Sequence, residues 1–428
     1  MNRRSARLLI VWFFAAILVA PMLGRAENPP PERLGFSAER LERVAELMQR
    51  QIDANVFPGA VTLIARDDEI VFFRAQGVMD LETRRPMQKD AVFRIMSMTK
   101  PVVAVSIMMM VEEGKVRLTD PVSRFIPEFR DLTVLAPQNA TTRGSNAGSE
   151  HAPVRTVPAE REITIRDLLT HTAGFMTTGG PGEASGVAIG PNDSLADLMP
   201  RLAAVPLDFQ PGTQWAYSGQ YAFDVLARVV EIASGQPFDA FVKARILDPL
   251  GMKDTFFQLP DEGHPRLAGL YRTVNGTLEP VAEMPFVNGV YFSGGGGLFS
   301  IAEDYLKLAR MLANGGRLGD MRLLSRKSVD LMRSAHVPDT LPGRTPGEGY
   351  GLGVRVVTDP AARNTLVSKG TWGWSGAFNT HFFIDPEERI IGIFMTQSAF
   401  LESRWQFRDD FETAVMQALI DDGPRDRD

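Results

Sequence analysis

Two hairpin patterns, one towards each end of the chain, constrain the fold of this sequence more than any other feature. Near the start, the largely apolar runs Gly59–Ala65 and Glu69–Ala75 are separated by a short charged turn. Near the end, His381–Asp385 and Ile390–Thr396 flank a turn that contains one proline and two glutamates. Apolar runs of this length on either side of a polar turn predict antiparallel β-hairpins.

A helix is predicted beside each hairpin. Residues Ser37–Val56 carry apolar side chains at helical spacing behind a serine that can cap the first turn, and a closing helix is expected from about Arg404 to Ile420. Helix and hairpin at the start, with hairpin and helix at the end, predict one central antiparallel sheet built from both termini and flanked by helices. The expected fold class is therefore α/β.

Between the two hairpins the pattern is different and predicts a mostly helical inserted domain. Its helical segments are separated by long polar loops; they are Ile165–Leu169, Ala222–Ala233 and Phe238–Ile246. The loops Asn139–Glu160 and Met176–Ser194 are long enough to be functional covers or disordered segments. We place the α/β subdomain at residues 27–115 and 305–428, and the helical subdomain at 116–304.

The first 26 residues have the order of a secretory signal peptide. Three arginines precede the apolar run Leu8–Ala20, and Gly24 and Ala26 supply small residues at positions −3 and −1 of a cleavage site. A signal peptide at residues 1–26 predicts a periplasmic or secreted protein. The alternatives are an uncleaved membrane anchor and a buried N-terminal helix.

The composition excludes several kinds of chemistry. The chain has no cysteine, so disulfides, thiolate metal sites and a cysteine nucleophile are excluded. The formal net charge is −6, whereas a nucleic-acid partner would require a basic surface. The five histidines are scattered without metal-binding spacing, so we expect no metal and no cofactor. Covalent chemistry must use a hydroxyl, a lysine, a histidine or a carboxylate.

Three segments carry residues suited to acyl transfer. Ser97 and Lys100 form an S-x-x-K pattern just before the apolar helix predicted at Val102–Val111, which places them on one face, one turn apart. A hydroxyl nucleophile needs a nearby base, and a partly buried lysine can lose its charge to serve as one. Tyr217 lies in a turn before a helix, and its phenol beside a lysine can relay protons.

The third segment is Trp374-Ser375-Gly376-Ala377, just before the strand predicted at His381–Asp385. A backbone N–H at a strand edge can form half of an oxyanion hole, and small residues let a substrate approach closely. Taken singly, each of the three segments also fits a structural role: a capping serine with a surface lysine, a packed tyrosine, or a glycine-rich turn.

Taken together and in this order, the segments resemble the S-x-x-K, Y-x-N and K-T-G motifs of the penicillin-recognising serine hydrolases. Leu168–Gly174 is similar to the L-L-T-H-T-S-G segment of that superfamily, and the glycine-rich Gly294–Leu298 also has a counterpart there. The resemblance runs from about Gly35 to Ala418. Within the superfamily it is greatest to the class C β-lactamase-like esterases, the family VIII carboxylesterases, and it implies a β-lactamase/transpeptidase-like fold for residues 27–428.

Two departures from the β-lactamase motifs bear on the substrate. Gly219 stands where Y-x-N has its asparagine, which helps to hold the amide of a β-lactam. Trp374 stands where K-T-G has its lysine, so the cation that would meet a substrate carboxylate is missing. Both departures favour an uncharged ester over an anionic β-lactam or peptide.

The resemblance also implies roles for individual residues. Ser97 would be the nucleophile, Lys100 and Tyr217 the proton-transfer groups, and the backbone N–H groups of Ser97 and Ala377 the oxyanion hole. Trp374, Ser375 and Gly376 would contact the substrate. Whether the lysine or the tyrosine is the general base is left open.

The function predicted from the sequence is thus that of an exported serine esterase acting on a small-molecule ester through an acyl-enzyme. Two alternatives remain at this point. One is a β-lactamase or D-Ala-D-Ala carboxypeptidase, and the other is a catalytically idle member of the fold that binds cell-wall fragments. The oligomeric state is not predicted.

Overall fold

The computed structural model describes residues 30–136, 155–260, 263–282, 289–399 and 403–421. The predicted signal peptide at residues 1–26 lies outside these ranges, as does most of the loop Asn139–Glu160. Within the described ranges, every helix is too short or too polar to cross a bilayer.

The structure alternates short helices and strands along the chain. The helices are α1 (Ala38–Asp53), α2 (Lys100–Glu112), α3 (Ile165–Leu169), α4 (Pro181–Ala184), α5 (Leu195–Ala203), α6 (Tyr221–Ser234), α7 (Phe238–Val242), α8 (Asp248–Leu250), α9 (Ala302–Ala313), α10 (Arg326–Met332), α11 (Pro360–Arg363) and α12 (Arg404–Met416). The strands are β1 (Gly59–Arg66), β2 (Glu69–Gly77), β3 (Phe93–Arg94), β4 (Thr133–Leu135), β5 (Thr156–Pro158), β6 (Tyr271–Val274), β7 (Thr277–Pro280), β8 (Phe299–Ser300), β9 (Arg317–Leu318), β10 (Met321–Arg322), β11 (Glu348–Tyr350), β12 (Arg355–Val357), β13 (Trp372–Gly376), β14 (Thr380–Asp385) and β15 (Ile390–Met395).

One antiparallel sheet joins strands from both ends of the chain. Within the described residues its order is β11-β12-β13-β14-β15-β1-β2. Strand β1 joins the two hairpins, because Val61 pairs with Ala75 of its own hairpin partner β2 on one side and with Met395 of β15 on the other. The predicted central sheet, with a hairpin from each end of the chain, is confirmed.

Helices cover both faces of this sheet. On one face, α1 begins behind Ser37, whose side chain accepts a hydrogen bond from the backbone N–H of Arg40 at 3.2 Å, as the capping pattern predicts. The apolar residues of α1 and α12 form one core cluster there with Phe383 and Phe394 of the sheet. On the opposite face, Tyr305 of α9 packs edge-on against Phe382, with the ring centroids 5.0 Å apart.

Helix α2 lies in the largest core cluster, together with residues of the sheet and of the inserted segment. All of its residues from Lys100 to Met110 are buried, so it is enclosed on every side, as its uniformly apolar sequence predicts. Close packing on all sides fixes the position of the turn that precedes it.

The inserted segment contains the predicted helices, but it is less uniformly helical than the sequence suggests. The segments β4–β5 and β6–β7 form two-stranded ribbons, and β5 lies within the predicted loop Asn139–Glu160. The single helix predicted at Phe238–Ile246 ends at Val242 and continues as a π-helical turn, Lys243–Leu247. Pro249 lies two residues beyond this turn and has no N–H for the regular helical bond, which accounts for the change of winding.

Candidate active site

Ser97 lies in a 3-10 turn, Met96–Thr99, that leads directly into α2. Met96, the residue before it, has a φ of +46°, a left-handed conformation that is unfavourable for a side chain of this size. Ser97 is 7% exposed, so only a small part of it reaches the surface. The geometry presents one hydroxyl on a rigid, strained turn, which is a common arrangement at functional sites.

Lys100 is fully buried beside this hydroxyl. Its Nζ donates hydrogen bonds to Ser97 Oγ at 3.1 Å, to the carbonyl oxygen of Gly219 at 2.5 Å and to that of Gly295 at 2.8 Å. Carbonyl oxygens only accept, so they engage two N–H groups in either charge state of the amine. The third position on Nζ, which faces Ser97, carries an N–H when the lysine is charged and a lone pair when it is neutral. Lys100 is thereby oriented to exchange a proton with Ser97.

Tyr217 approaches Ser97 from the inserted segment. Its hydroxyl lies 2.7 Å from Ser97 Oγ, and its ring lies over Lys100 Nζ at 5.1 Å. The ring is held by aromatic neighbours on several sides: His171 at 4.6 Å, Trp374 at 5.4 Å and Trp215 at 6.4 Å between centroids. The structure therefore brings together the three residues that the sequence nominated for acyl transfer.

His171 supports the turn that carries Tyr217. Its Nδ1 accepts a hydrogen bond from the backbone N–H of Ser218 at 3.2 Å. Burial, together with the positive charges of Lys100 and Arg344, holds the pKa of His171 well below its usual range. A neutral imidazole can accept at Nδ1, so His171 is suited to hold the backbone of this turn in place.

Strand β13, which contains Trp374, Ser375 and Gly376, lies against the turn that holds Ser97. A Cβ atom on Gly376 would lie 2.4 Å from the carbonyl oxygen of Ile95, so only glycine allows this approach. Ala377, directly after the strand, shares a small apolar cluster with Met96. The residues assigned to substrate contact thus border the nucleophile, and the oxyanion role of Ala377 stays a prediction.

Asp224 is a functional residue that the sequence reasoning did not identify. It lies on α6 with no exposed surface, and its carboxylate accepts hydrogen bonds from Gly295 N at 2.9 Å, from Ser293 Oγ at 2.8 Å and from the Tyr291 hydroxyl. Burial raises the pKa of Asp224. Because the carbonyl of Gly295 accepts from Lys100, Asp224 holds one of the two carbonyls that orient the lysine.

The glycine-rich segment 294–297 runs close to the start of α6. A Cβ on Gly294 would lie 2.3 Å from the carbonyl oxygen of Phe223, and a Cβ on Gly295 would lie 2.5 Å from that of Gln220. The signal for Asp224 was available, since it is a lone carboxylate within the apolar run 222–227. No motif drew attention to it.

The segment Met176–Ser194 borders the site near Tyr217. The backbone N–H of Thr178 donates to the carbonyl of Tyr217 at 2.7 Å, and the Tyr221 hydroxyl donates to the carbonyl of Val187 at 3.0 Å. A Cβ on Gly219 would lie 3.0 Å from Thr178 Oγ1, so this threonine occupies the space beside the position where Y-x-N has its asparagine.

The described residues contain no group of three or more acidic or histidine side chains close enough together to hold a metal ion. What the site does contain is a buried hydroxyl with two proton-transfer groups at hydrogen-bond distance and a strand edge beside it. A hydroxyl placed in this way beside an amine and a phenol meets the geometric requirement for an activated nucleophile.

Comparison with known proteins agrees with this arrangement. The family model described as Beta-lactamase matches residues 44–416. Esterase EstB of Burkholderia gladioli is 35% identical over 372 residues, which cover 80% of this chain and 86% of EstB. A protein of Escherichia coli O157:H7, provisionally named a D-alanyl-D-alanine carboxypeptidase, is 28% identical over 385 residues and covers 83% of this chain and 82% of its own.

Among solved structures, EstCE1, described as a hydrolase with promiscuous acyltransferase activity, superposes with a TM-score of 0.73 at 29% identity. The match covers 88% of this chain and 99% of EstCE1. Fold and site therefore define a serine hydrolase with a β-lactamase/transpeptidase-like fold. The chain belongs to the Beta-lactamase family and resembles its esterase members, as the motifs predicted.

Proposed function

We propose that this protein cleaves carboxylic esters through an acyl-enzyme on Ser97, with Lys100 and Tyr217 as proton-transfer groups. The observation that carries the proposal is the position of Ser97 Oγ, 3.1 Å from Lys100 Nζ and 2.7 Å from the Tyr217 hydroxyl, beside a strand on which Trp374 replaces a cation. The relation to esterase EstB points in the same direction.

The proposed reaction has two steps. Ser97 Oγ attacks the ester carbonyl while its proton passes to Lys100 or Tyr217, and the backbone N–H groups of Ser97 and Ala377 stabilise the oxyanion. Tyr217 then protonates the departing alkoxide, since its hydroxyl lies within hydrogen-bond distance of Ser97 Oγ. Water attacks the acyl-enzyme by the same route in reverse and releases the acid.

The substrate preference is argued from charge. A β-lactam or a D-Ala-D-Ala peptide carries a carboxylate, and burial of an unpaired carboxylate costs several kcal/mol. Trp374 is 5% exposed and offers an indole instead of an ammonium group at the position of the K-T-G lysine. A neutral ester incurs no such cost.

The test compares three substrates: 4-nitrophenyl butyrate, a chromogenic cephalosporin and a D-Ala-D-Ala peptide. Each is assayed on the wild-type enzyme, on Ser97→Ala and on the control Ser334→Ala, which alters an exposed serine just after α10. We expect ester turnover and fluorophosphonate labelling in the wild type and the control, and neither in Ser97→Ala. Hydrolysis of the peptide at a rate that matches ester hydrolysis would favour the carboxypeptidase alternative, and an equal rate with the cephalosporin would favour the β-lactamase alternative. Absence of both labelling and turnover would favour the idle binding protein.

We further propose that residues 1–26 direct export of the enzyme to the periplasm or the medium. The support is the order of charged, apolar and small residues in that segment. Mass spectrometry of protein isolated from the extracytoplasmic fraction should find Glu27 as the first residue. Recovery of the full-length chain in the membrane fraction would instead indicate an uncleaved anchor.

A further inference from the structure

Arg344 is a buried cation to which the proposed reaction assigns no role. Its side chain is 3% exposed, and its guanidinium lies 4.3 Å from the centre of the Trp215 ring. Trp215 is stacked in turn with Tyr217: the ring centroids are 6.4 Å apart and the ring planes differ by 24°. One aromatic ring therefore connects this cation with the tyrosine whose hydroxyl lies 2.7 Å from Ser97 Oγ.

The guanidinium of Arg344 is held in place by the first residues of β11. Its Nη2 donates to the carbonyl oxygens of Glu348 and Gly349, both at 3.0 Å, and to Glu348 Oε1 at 3.2 Å. Its Nε donates to the carbonyl oxygen of Glu348 at 3.3 Å. A guanidinium is planar, so hydrogen bonds from two of its nitrogens fix the plane that it presents to the Trp215 ring.

The segment that carries Arg344 also holds the backbone of Trp215. The N–H of Trp215 donates to the carbonyl oxygen of Pro342 at 2.9 Å. Gly343 has a φ of +89°, and a Cβ at this position would clash with the carbonyl oxygen of Trp215, so only glycine allows the approach. Residues 342–344 therefore fix both the backbone and the ring of Trp215, two residues before Tyr217.

Tyr350 extends the contacts of Arg344 to the other rings around Tyr217. The Arg344 guanidinium lies 5.5 Å from the centre of the Tyr350 ring. That ring packs against the three aromatic neighbours of Tyr217 described above, with centroid distances of 5.2 Å to His171, 5.2 Å to Trp374 and 5.7 Å to Trp215. Arg344 and Tyr350 thus form a second layer behind the rings that hold Tyr217.

Charge balance alone does not account for Arg344. Its carboxylate partner Glu348 also faces three other guanidinium groups: Arg363 at 3.3 Å, Arg408 at 3.7 Å and Arg355 at 3.8 Å. Glu348 would keep these three cations without Arg344, and burial of a further charge is unfavourable in itself. Arg344 differs from Arg363 in its contact with Trp215, so this contact is where a distinct role is expected.

We propose that Arg344 is a positioning residue for proton transfer: through Trp215 it holds the ring of Tyr217 in the orientation from which the phenol serves the leaving alcohol. The position requires a planar guanidinium, because a lysine would keep the charge but has no face with which to stack. This inference rests on the proposed ester hydrolysis, in which Tyr217 protonates the departing alkoxide.

The test compares Arg344→Lys with Arg363→Lys. Both substitutions keep a positive charge beside Glu348, and only the first removes a planar group from Trp215. The substrates are ethyl butyrate and 4-nitrophenyl butyrate, which form the same butyryl-enzyme. Ethoxide must be protonated as it leaves, whereas 4-nitrophenolate is a stable anion that leaves without a proton. The ratio of the two kcat/KM values therefore reports proton delivery and does not depend on the fraction of enzyme that is folded.

In Arg344→Lys we expect kcat/KM to fall about tenfold more for ethyl butyrate than for 4-nitrophenyl butyrate, because misplacement of a proton donor slows only the reaction that needs it. Tyr217→Phe should change the ratio in the same direction and by more. Arg344→Lys combined with Tyr217→Phe should change the ratio no further than Tyr217→Phe alone, since both act on the same hydroxyl. Arg363→Lys should leave the ratio unchanged.

An equal loss with both esters in Arg344→Lys, or the same change of ratio in Arg363→Lys, would overturn the inference, as would a further change on top of Tyr217→Phe. Trp215→Leu removes the connecting ring by a different substitution and should shift the ratio in the same direction, so the inference can be tested even where the lysine variant does not fold. An unchanged ratio in Trp215→Leu would contradict it. A failure of the proposed function would be visible separately, because the wild type would then release no butyrate from either ester.

Discussion

Lys100 Nζ lies 3.1 Å from Ser97 Oγ although the two residues belong to helical turns of different winding. Ser97 lies in a 3-10 turn, and Lys100 is the first residue of α2. In a 3-10 turn, residues three apart are almost eclipsed, which brings the two side chains closer together than a regular α-helix would. The burial of α2 keeps this geometry fixed.

Replacement of Lys100 should abolish most of the activity and leave the enzyme folded. Lys100→Ala removes the amine that faces Ser97, and loss of a general base costs about 10²- to 10⁴-fold in rate. The measurement is kcat with 4-nitrophenyl butyrate, together with thermal unfolding to confirm the fold. Lys243→Ala is the matched control, since Lys243 is exposed and pairs only with Asp248 at the surface. Near-normal turnover in Lys100→Ala would contradict the role.

Tyr217→Phe should keep the aromatic packing and remove the hydroxyl that lies 2.7 Å from Ser97. We expect kcat to fall by about 10²-fold or more with little change in stability, because the ring contacts with His171 and Trp374 remain. Tyr271→Phe serves as the control. It removes another buried phenol hydroxyl, which accepts a hydrogen bond from the backbone N–H of Leu81 and donates one to Asp80 Oδ2. Equal activity of the two variants would exclude Tyr217 from proton transfer.

Asp224→Asn should lower kcat without a matching change in KM. The carboxylate orients Gly295, whose carbonyl holds Lys100, and an amide cannot accept all three of its present hydrogen bonds. A buried donor left unpaired costs about 1–3 kcal/mol, which corresponds to roughly tenfold to hundredfold in rate if it displaces the lysine.

The control for Asp224 is Asp304→Asn. Asp304 is also buried and also holds a loop, through the backbone N–H of Asp254 and the hydroxyl of Thr255. If both variants lose stability but only Asp224→Asn loses kcat, the positioning role is supported. A proportional loss in both would indicate a purely structural role for Asp224.

Substitutions at Gly219 and at Thr178 should have coupled effects on activity, because the side chain of Thr178 occupies the space beside Gly219. In Gly219→Asn the new Cβ meets Thr178 Oγ1 at 3.0 Å, so the threonine must move, and its N–H bond to Tyr217 is disturbed with it. We expect Gly219→Asn to lower kcat/KM for the butyrate ester and Thr178→Ala to recover part of the loss. A double-mutant cycle should give a coupling above about 0.5 kcal/mol, and strict additivity would show that the contact is irrelevant.

Glu348 should make the fold sensitive to acid. Burial alone would raise its pKa, but the guanidinium groups of Arg408, Arg355, Arg344 and Arg363 outweigh burial and lower the pKa of Glu348 from 4.5 to about 2. The folded-state pKa lies below the unfolded value, so this group stabilises the fold above pH 4.5 and loses its contribution as the pH falls towards 2.

The shift corresponds to roughly 3 kcal/mol of unfolding free energy. Urea unfolding at several pH values should therefore show the wild type more stable than Glu348→Gln near neutrality, with the difference shrinking by about that amount between pH 5 and pH 2. A difference that does not change with pH would show that the arginine cluster does not act through ionised Glu348.

The sequence was sufficient for those parts of the site that lie close together in the chain or belong to ordered motifs. Ser97 and Lys100 are one turn apart, and the hairpins are local patterns of apolar residues, so both could be predicted without knowledge of distant contacts. Tyr217 and β13 were found because the order of the three motifs is characteristic of a family.

Contacts between residues that are far apart in the sequence could not be predicted from local patterns or from ordered motifs. Asp224 and Gly295, or His381 and Glu412, become partners only when elements far apart in the chain have packed together, and neither pair has a fixed spacing. The two-stranded ribbons of the inserted segment were not predicted from the sequence, for a related reason. Strands of three or four residues, such as β5, are too short to show a periodicity, and their pairing partners stabilise them.

The central place of β1 in the sheet makes the surroundings of Ser97 depend on contacts between distant parts of the chain. Its partner β15 lies beyond the whole inserted segment, and so does Gly376, which closes against the turn that holds Ser97. Contacts this distant in the chain form late in folding, because closing a long loop is entropically unfavourable. In a partly folded chain, Ser97 and Lys100 can therefore already lie one turn apart while the strand edge beside them is still missing.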